Sequence, residues 1–254
     1  MKMTTGAIAL SLLLAIGAPG HAAAPASPKA IAAAAVADPT RPAEDKARDA
    51  DRKPAEMLAF AGVRPGMTVV DMLPGGGYFT RLFSSAVGPT GKVIAYVPDE
   101  MLARNPKATD KVGAIAGTNS NVTVAHDPLM APGPENVFDV VWTSQNYHDL
   151  HNMPGVDLVA LERQILRSLK PGGVFVVLDH AAKGGSGLAD TNTLHRIDPN
   201  IVRQEAIAAG FVYDGESKVL ANAADDHTLK VFDPALRGHT DQFVFRFRKP
   251  GGAR

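Results

Sequence analysis

Apolar runs and amphipathic segments alternate along most of the chain. Five short runs are continuously apolar or β-branched, as in strands that are covered on both faces of a sheet. Between them, apolar residues recur at the three- and four-residue spacing of helices. The predicted strands, in chain order, are GMTVVDM, GKVIAYV, NVTVAHD, FDVVWTS and GGVFVVLDH. This alternation predicts parallel strands joined by helices, which is an α/β fold.

The end of the chain breaks the alternation. The runs FVYDGESKVL and DQFVFRFRK follow one another with no helix between them, so we expect an antiparallel pair at the edge of the sheet. The sequence therefore predicts a Rossmann-like, doubly wound α/β sheet of seven strands, mostly parallel with an antiparallel last strand. Ligands of such sheets bind outside the carboxyl ends of the strands, where the strand order reverses.

Prolines divide two of the predicted helices. The segment AEDKARDADRKPAEMLAFA is expected to break at Pro54, and DEMLARNPKATDKVGAIAG is expected to break near Pro106. Three further segments have uninterrupted helical spacing. They are YFTRLFSSAV, GVDLVALERQILRSLK and DPNIVRQEAIAAG.

The first 24 residues have the three-part pattern of a secretory signal. Lys2 precedes an apolar run that is too short to span a bilayer, and small residues follow around Ala22. We therefore expect residues 1–24 to be removed as a signal peptide, giving an exported, periplasmic protein with no integral membrane segment. Residues 25–42 are rich in Ala and Pro without a polar-apolar period, which predicts a linker. The folded domain is expected over residues 43–250.

Length and charge narrow the choice of function. One α/β domain uses nearly all of the 254 residues. Lysine and arginine total 26, as do aspartate and glutamate, so the formal net charge is zero and no nucleic-acid partner is expected. The chain has no cysteine, which excludes disulfides and thiolate metal sites. The expected partner is a small molecule, and the oligomeric state stays open.

A glycine-rich loop, VVDMLPGGGYFT, follows the first predicted strand. Glycines at this place allow a tight turn and let a ligand approach the backbone. A dinucleotide site would need the pattern G-x-G-x-x-G, with its third glycine inside the following helix. Here that position is Phe79 or Thr80. The loop therefore favours a nucleotide-like ligand other than NAD.

The loop resembles the first motif of the class I S-adenosylmethionine-dependent methyltransferases. That motif is acid-x-Gly-x-Gly-x-Gly, and Asp71, Leu73, Gly75 and Gly77 match three of its four positions. The stretches AFAGVRPGMTVVDM and ILRSLKPGGVFVVLDH resemble the family's approaches to its first and fifth strands, and the resemblance covers about residues 50–249. The stretches DMLPGGGYFT, YHDLH, LHRID, DDHT and FDPALRGHTDQFVFRFRKP are similar to a little-characterised group of predicted exported bacterial methyltransferases.

This resemblance implies the strand order 3-2-1-4-5-7-6, S-adenosyl-L-methionine as the cofactor and methylation of a small-molecule acceptor. It also implies a set of cofactor-binding residues around the carboxyl ends of the first four strands. They are Asp71, Pro74, Gly75, Gly76, Gly77, Tyr78, Asp99, Asp127 and Ser144.

Two positions depart from the family. Leu73 replaces the first glycine, so the loop is expected to turn differently, through Pro74. Val97 stands where the family has its ribose-binding acid, and Asp99 or Glu100 is expected to reach instead, with helix capping as the alternative role. Alternatives also stay open for two other carboxylates, because Asp71 can simply order the loop and Asp127 can be an ordinary turn residue.

Seven histidines are expected in loops at the carboxyl ends of the strands. His148 is the predicted base, with Asp149 as its orienter and Tyr147 beside it, although packing alone explains each of them equally well. His148 and His151, with His180 or His195, offer an alternative metal site, but no tight metal motif is present and no metal is predicted. The insert 221–240, between the last two strands, is expected to overhang the pocket as a lid.

The sequence thus predicts an S-adenosylmethionine-dependent methyltransferase with an unknown small acceptor. Two alternatives belong to other classes of protein. One is a non-catalytic binding protein on the same fold, since fold does not carry function. The other is a metal-dependent enzyme that uses the histidines.

Overall fold

One sheet of seven strands organises the computed structural model, which describes residues 26–131 and 133–251. The strands are β1 (Thr68–Met72), β2 (Lys92–Tyr96), β3 (Val122–Ala125), β4 (Phe138–Ser144), β5 (Leu169–His180), β6 (Val212–Ser217) and β7 (Gln242–Arg248). Their order is β3-β2-β1-β4-β5-β7-β6. The first five strands of this order, β3, β2, β1, β4 and β5, are parallel to one another. Strand β7 is antiparallel to both of its neighbours, β5 and β6. The predicted fold and strand order are confirmed.

Helices precede β1 and lie between several pairs of successive strands. They are α1 (Pro28–Val36), α2 (Ala43–Lys46), α3 (Asp49–Arg52), α4 (Pro54–Ala61), α5 (Tyr78–Val87), α6 (Asp99–Arg104), α7 (Asp110–Thr118), α8 (Tyr147–Leu150), α9 (Leu158–Ser168) and α10 (Pro199–Ala209). Both predicted breaks are present, because α4 begins at Pro54 and α6 ends before Pro106. None of the helices in the described ranges has the length and apolar character to cross a membrane.

Successive side chains of a strand point to opposite faces, so each central strand contributes to two cores. Val69 of β1 belongs to a core that includes α1, α4, α5 and α7, and Val70 belongs to a core that includes α9 and α10. Trp142 of β4 is completely buried in the first core. Helices cover both faces, which is why these strands have continuous apolar sequences.

Residues 25–42 are not the linker that their composition predicted, because they contain α1. Ser27 caps this helix and Pro28 lies in its first turn. Ala32 and Ala35 are only 1% exposed and belong to the core beside α4 and α5. A run of small alanines lets helices approach closely but has no polar-apolar period, so the pattern did not reveal the helix.

The predicted signal peptide, residues 1–24, lies outside the described residues. Its removal and the export of the protein therefore remain predictions.

Candidate active site

The chain after β1 turns at Leu73. Leu73 has a φ of 58°, a left-handed conformation that glycine adopts readily and leucine adopts at a cost. Its N–H donates to the carbonyl of Tyr96, and its carbonyl accepts from the side-chain amide of Asn146, both at 2.9 Å. The turn thus starts at Leu73 itself and includes the expected Pro74, whose carbonyl accepts the backbone N–H of Gly77 at 2.9 Å.

Two of the three following glycines also have left-handed backbones, with φ of 56° at Gly75 and 77° at Gly77. A Cβ on Gly77 would lie 2.2 Å from Cδ1 of Ile115, so the Ile115 side chain would have to move, and the φ of 77° would also strain any other residue at this position. No heavy atom lies within 4 Å of the place where a Cβ of Gly75 would stand. The backbone of Gly75 is therefore accessible to a ligand.

A cavity of about 320 Å³ lies against this loop, and we call it the loop cavity. Its walls come from the loops after β1 and β4, the start of α5, and helices α3 and α6. Six of the predicted cofactor-binding residues line it: Asp71, Pro74, Gly75, Gly76, Tyr78 and Ser144. Gly77 makes the turn into α5 next to them.

The other two predicted cofactor-binding residues lie elsewhere. Oδ1 of Asp99 is 3.1 Å from Nδ1 of His126, and both side chains are about half exposed. Asp127 lines a separate, mostly apolar cavity of about 450 Å³ beside α9. Val97 is buried in the core. Of the described residues that line the loop cavity, Asp71 is the only carboxylate, so the acid that binds ribose in the family has no counterpart there.

Asp71 is nearly fully buried at the end of β1. Its Oδ2 accepts a hydrogen bond from the hydroxyl of Thr80 at 2.6 Å. Burial raises the pKa of Asp71 to about 7, although the bond from Thr80 and the charge of Arg52 act in the opposite direction. Asp71 therefore both orders the start of α5 and lines the loop cavity.

Two arginines that sequence reasoning missed line the loop cavity from α3 and the residue before it. Arg52 donates to Oε1 of Gln145 at 2.7 Å, and its guanidinium lies 4.7 Å from the ring centre of Tyr78. Burial and the nearby Arg48 lower the pKa of Arg52 to about 10, so it is still charged at neutral pH. Among the residues that the structure describes, no carboxylate forms a salt bridge with Arg48 or Arg52. Such cations suit an anionic ligand.

Ion pairs hold α3 against the glycine loop. Arg41 pairs with both carboxylate oxygens of Asp49, at 2.6 and 2.8 Å, and Asp49 also accepts from the hydroxyl of Tyr78 at 2.7 Å. Asp45 pairs with Arg81 of α5 at 2.7 Å. In the sequence, the segment AEDKARDADR around Asp45 and Asp49 has charges of both signs, which is typical of a helix exposed to solvent. Only the folded chain distinguishes the charges that face the site.

A second cavity, of about 500 Å³, adjoins the loop cavity, and we call it the outer cavity. Arg48, Arg52 and Gln145 line both cavities. Five residues of the insert 221–240 also line the outer cavity: Val231, Phe232, Arg237, Gly238 and Thr240. The structure therefore places part of this insert directly beside the shared arginines.

His180 is the histidine that lines the outer cavity. Its Nδ1 lies 2.7 Å from the hydroxyl of Thr240. Burial lowers the pKa of His180 to about 4, so the imidazole is neutral at pH 7. A neutral imidazole can accept or donate a hydrogen bond to a molecule in this cavity.

His148 is buried and lines neither cavity. Its Nδ1 lies 2.9 Å from Oδ1 of Asp179, and Oδ2 of Asp179 also accepts from the backbone N–H of His148. Burial opposes protonation of His148, but the charge and hydrogen bonds of Asp179 outweigh it and raise the pKa of His148. Asp179 therefore makes the shorter contact with His148, whereas Oδ1 of the predicted orienter, Asp149, lies 3.4 Å from Nε2 of His148.

Tyr147 and His151 lie on another side of α8. The hydroxyl of Tyr147 lies 2.9 Å from Oε1 of the buried Glu162 and 2.8 Å from Oε2 of the partly exposed Glu205, and Nε2 of His151 lies 3.2 Å from the same oxygen of Glu205. Tyr147 is completely buried. The structure therefore does not bring Tyr147 to either cavity, and His151 does not join His148 and His195.

Solved structures share this fold. A SAM dependent methyltransferase from Aquifex aeolicus matches with a TM-score of 0.54 at 20% identity, covering 82% of this chain and 98% of that chain. An S-adenosylmethionine dependent methyltransferase from Mesorhizobium loti matches with a TM-score of 0.57 at 16% identity, covering 79% of this chain and 99% of that one. The strand order of this chain and its match to these structures together define the fold of the class I methyltransferases.

Sequence comparison gives the family. The sequence model of the ubiE/COQ5 methyltransferase family matches residues 51–191, so the chain belongs to that family. A ubiquinone/menaquinone biosynthesis C-methyltransferase UbiE from Ectopseudomonas mendocina (strain ymp) is 38% identical over 135 residues, which are 52% of this chain and 49% of the relative. The chain thus spans about half the length of the curated relatives it matches.

The loop cavity has polar groups without protein partners, and these groups suit S-adenosylmethionine, the cofactor of this class. The buried hydroxyl of Ser144 has no hydrogen-bond partner among the described residues, and it lines the cavity. Arg52 supplies a cation without a carboxylate partner, and Gly75 leaves backbone accessible. These groups match an amino-acid carboxylate and polar hydroxyls better than an apolar ligand.

Proposed function

We propose that the protein transfers a methyl group from S-adenosylmethionine, bound in the loop cavity, to a small anionic acceptor in the outer cavity. The observation that carries this proposal is that the two cavities meet at Arg48, Arg52 and Gln145. Side-by-side binding is what a transfer between two small molecules requires. The donor supplies a methyl group already activated by a sulfonium, so the main task of the protein is to position donor and acceptor.

The residues of the loop cavity have distinct roles in this proposal. Arg52 pairs with the carboxylate of the donor. The buried hydroxyl of Ser144 forms a hydrogen bond with a polar group of the donor. The backbone around Gly75 lets the donor approach closely, because glycine has no Cβ. Gln145, held by the side chains of Arg52 and Gln242, stands where the two cavities meet. His180 forms a hydrogen bond with the acceptor from the outer cavity.

Charge supports an anionic acceptor. Arg48, Arg52 and Arg237 line the outer cavity against one carboxylate, that of Asp51. The family match ends at residue 191, whereas much of the outer cavity is lined by residues 231–242. The relatives are named for ubiquinone and menaquinone biosynthesis. We therefore do not assign their acceptor to this chain. A carboxylate or phosphate group fits the arginines.

We expect Arg237→Ala to weaken acceptor binding without affecting the donor. Losing one charged hydrogen bond corresponds to about 1–2 kcal/mol, or a rise in acceptor KM of roughly 5- to 30-fold. The measurement is transfer of a labelled methyl group to a panel of small carboxylates and phosphates, each paired with its neutral ester. Donor Kd is measured by calorimetry on the same variant.

Lys230→Ala is the matched control, because Lys230 is an exposed cation of the same insert that does not line the outer cavity. Neutral esters that are methylated as fast as their acids would contradict the anionic acceptor. Donor binding without methylation of any compound in the panel would favour a binding protein on this fold.

We also propose that the protein is exported, on the strength of the signal pattern in residues 1–24. A periplasm-dependent alkaline phosphatase fused after Arg254 is expected to be active, and deletion of residues 1–24 is expected to abolish its activity. Equal activity of the two fusions, or none in either, would contradict export.

A further inference from the structure

Three side chains of ligand type meet in the part of the chain that follows β4 and β5. Nε2 of His148 lies 3.3 Å from Nδ1 of His195 and 3.4 Å from Oδ1 of Asp149. Nδ1 of His195 lies 3.7 Å from the same oxygen of Asp149. The three atoms therefore form a nearly equilateral triangle. We call this set the His–Asp–His cluster.

The size of the triangle indicates a particular coordination geometry. Zinc bonds of about 2.0–2.1 Å in a tetrahedron put neighbouring ligand atoms about 3.3–3.4 Å apart. An octahedral ion with bonds of about 2.0–2.1 Å would put neighbouring ligand atoms about 2.8–3.0 Å apart. The observed distances of 3.3, 3.4 and 3.7 Å fit the tetrahedral case better. Two imidazoles and one carboxylate are also a donor set that zinc accepts.

The second nitrogen of His148 is already committed. Nδ1 faces the completely buried carboxylate of Asp179 at 2.9 and 3.0 Å. Asp179 also accepts the backbone N–H groups of His148 and His180, which fixes its orientation. In the neutral imidazole, Nδ1 of His148 therefore carries the proton and Nε2 presents a lone pair to the cluster, so zinc competes with a second proton for Nε2. A carboxylate behind a histidine is the usual support of a metal ligand.

The cluster is accessible from one side. The side chain of His148 is buried, whereas those of His195 and Asp149 are 31% and 49% exposed. The ring of His195 lies 4.9 Å from that of Phe232, which lines the outer cavity. An ion can thus enter from solvent, and its remaining coordination position would lie near the acceptor side of the molecule.

We propose that His148, Asp149 and His195 bind a zinc ion, with Asp179 orienting His148 and the fourth position left to water or another exogenous ligand. This site is independent of methyl transfer and of the donor. Its competitor is a simple hydrogen bond between the two imidazoles, which needs neither a metal nor Asp149.

Zinc titration of untagged, chelator-treated and dialysed protein tests the site. We expect one zinc ion per chain by calorimetry, a rise in melting temperature on adding zinc, and visible absorption of a tetrahedral site when cobalt replaces zinc. Asp149→Asn and His195→Asn are each expected to raise the zinc Kd at least 10-fold. Asparagine suits position 195 because His195 has a φ of 55°, which asparagine tolerates well.

His239→Ala is the matched control, because His239 is exposed and outside the cluster; its zinc Kd is expected to equal that of the wild type. Melting temperatures without zinc show whether each variant folds. Absence of zinc binding by the wild type, or binding that Asp149→Asn and His195→Asn both leave unchanged, would overturn the proposal. Donor titration of the same samples is expected to be unaffected, so failure of the zinc site is distinguishable from failure of the methyltransferase proposal.

Discussion

Arg52→Ala is expected to weaken S-adenosylmethionine binding roughly 30- to 150-fold, because it removes a charged hydrogen bond worth about 2–3 kcal/mol. Arg52 lines the loop cavity and has no salt-bridge partner among the described residues. Calorimetric titration of the donor and of its demethylated product measures the change. Arg52→Lys, which keeps the charge but loses the planar guanidinium, is expected to lose less affinity than the alanine variant.

The melting temperature separates this role from a structural one. Because burying the charge of Arg52 without a carboxylate partner is costly and offsets its bond to Gln145, the donor-free melting temperature of Arg52→Ala is expected to change little, while the stabilisation by donor is lost. Arg64→Ala, an exposed arginine outside the site, is expected to match the wild type in both measurements. A lower melting temperature with an unchanged donor Kd would show that Arg52 only supports the fold.

Asp71→Asn is expected to stabilise the donor-free protein above neutral pH. The pKa of Asp71 is about 7 in the folded chain, raised by burial, and near 3.9 in an unfolded chain. Between these values the folded state binds more protons than the unfolded state, so the free energy of unfolding falls as pH rises. The loss from pH 5 to pH 8 is about 2–3 kcal/mol.

The asparagine variant lacks this titration but can still accept the hydrogen bond from Thr80. Denaturant unfolding of both proteins at several pH values from 5 to 8 measures the difference. Asp110→Asn, at an exposed position, is the control and is expected to keep the pH dependence of the wild type. The same pH dependence in Asp71→Asn and wild type would show that Asp71 is ionised throughout this range.

The sequence was sufficient to predict the fold because its patterns are local. The central strands β1, β4 and β5 are buried on both faces over most of their length and have apolar runs, and the two final strands lack a helix between them. The alanine run of α1 predicted a linker because it has no polar-apolar period. What makes this segment a helix of the core is its packing against α4 and α5, where small side chains fit. Periodicity has no means of revealing that contact.

The sequence predicted only those site residues that lie at or directly after the ends of strands. The loop after β1 and Ser144 at the end of β4 reach the loop cavity because strand ends fix their positions. Arg52 and Asp179 were missed because their roles arise from contacts distant in sequence, with Gln145 and His148 respectively. Asp99 was expected from family position, but its carboxylate meets His126 at the surface instead.

We expect the loop cavity to bind the donor, directly beside the acceptor in the outer cavity. A crystal structure with bound S-adenosylhomocysteine, the demethylated donor, tests it most directly. We expect the ligand against Gly75 and Ser144, with its carboxylate on Arg52 and its sulfur toward the boundary marked by Gln145. A ligand bound elsewhere, or none at concentrations that saturate methyltransferases of this family, would contradict the claim.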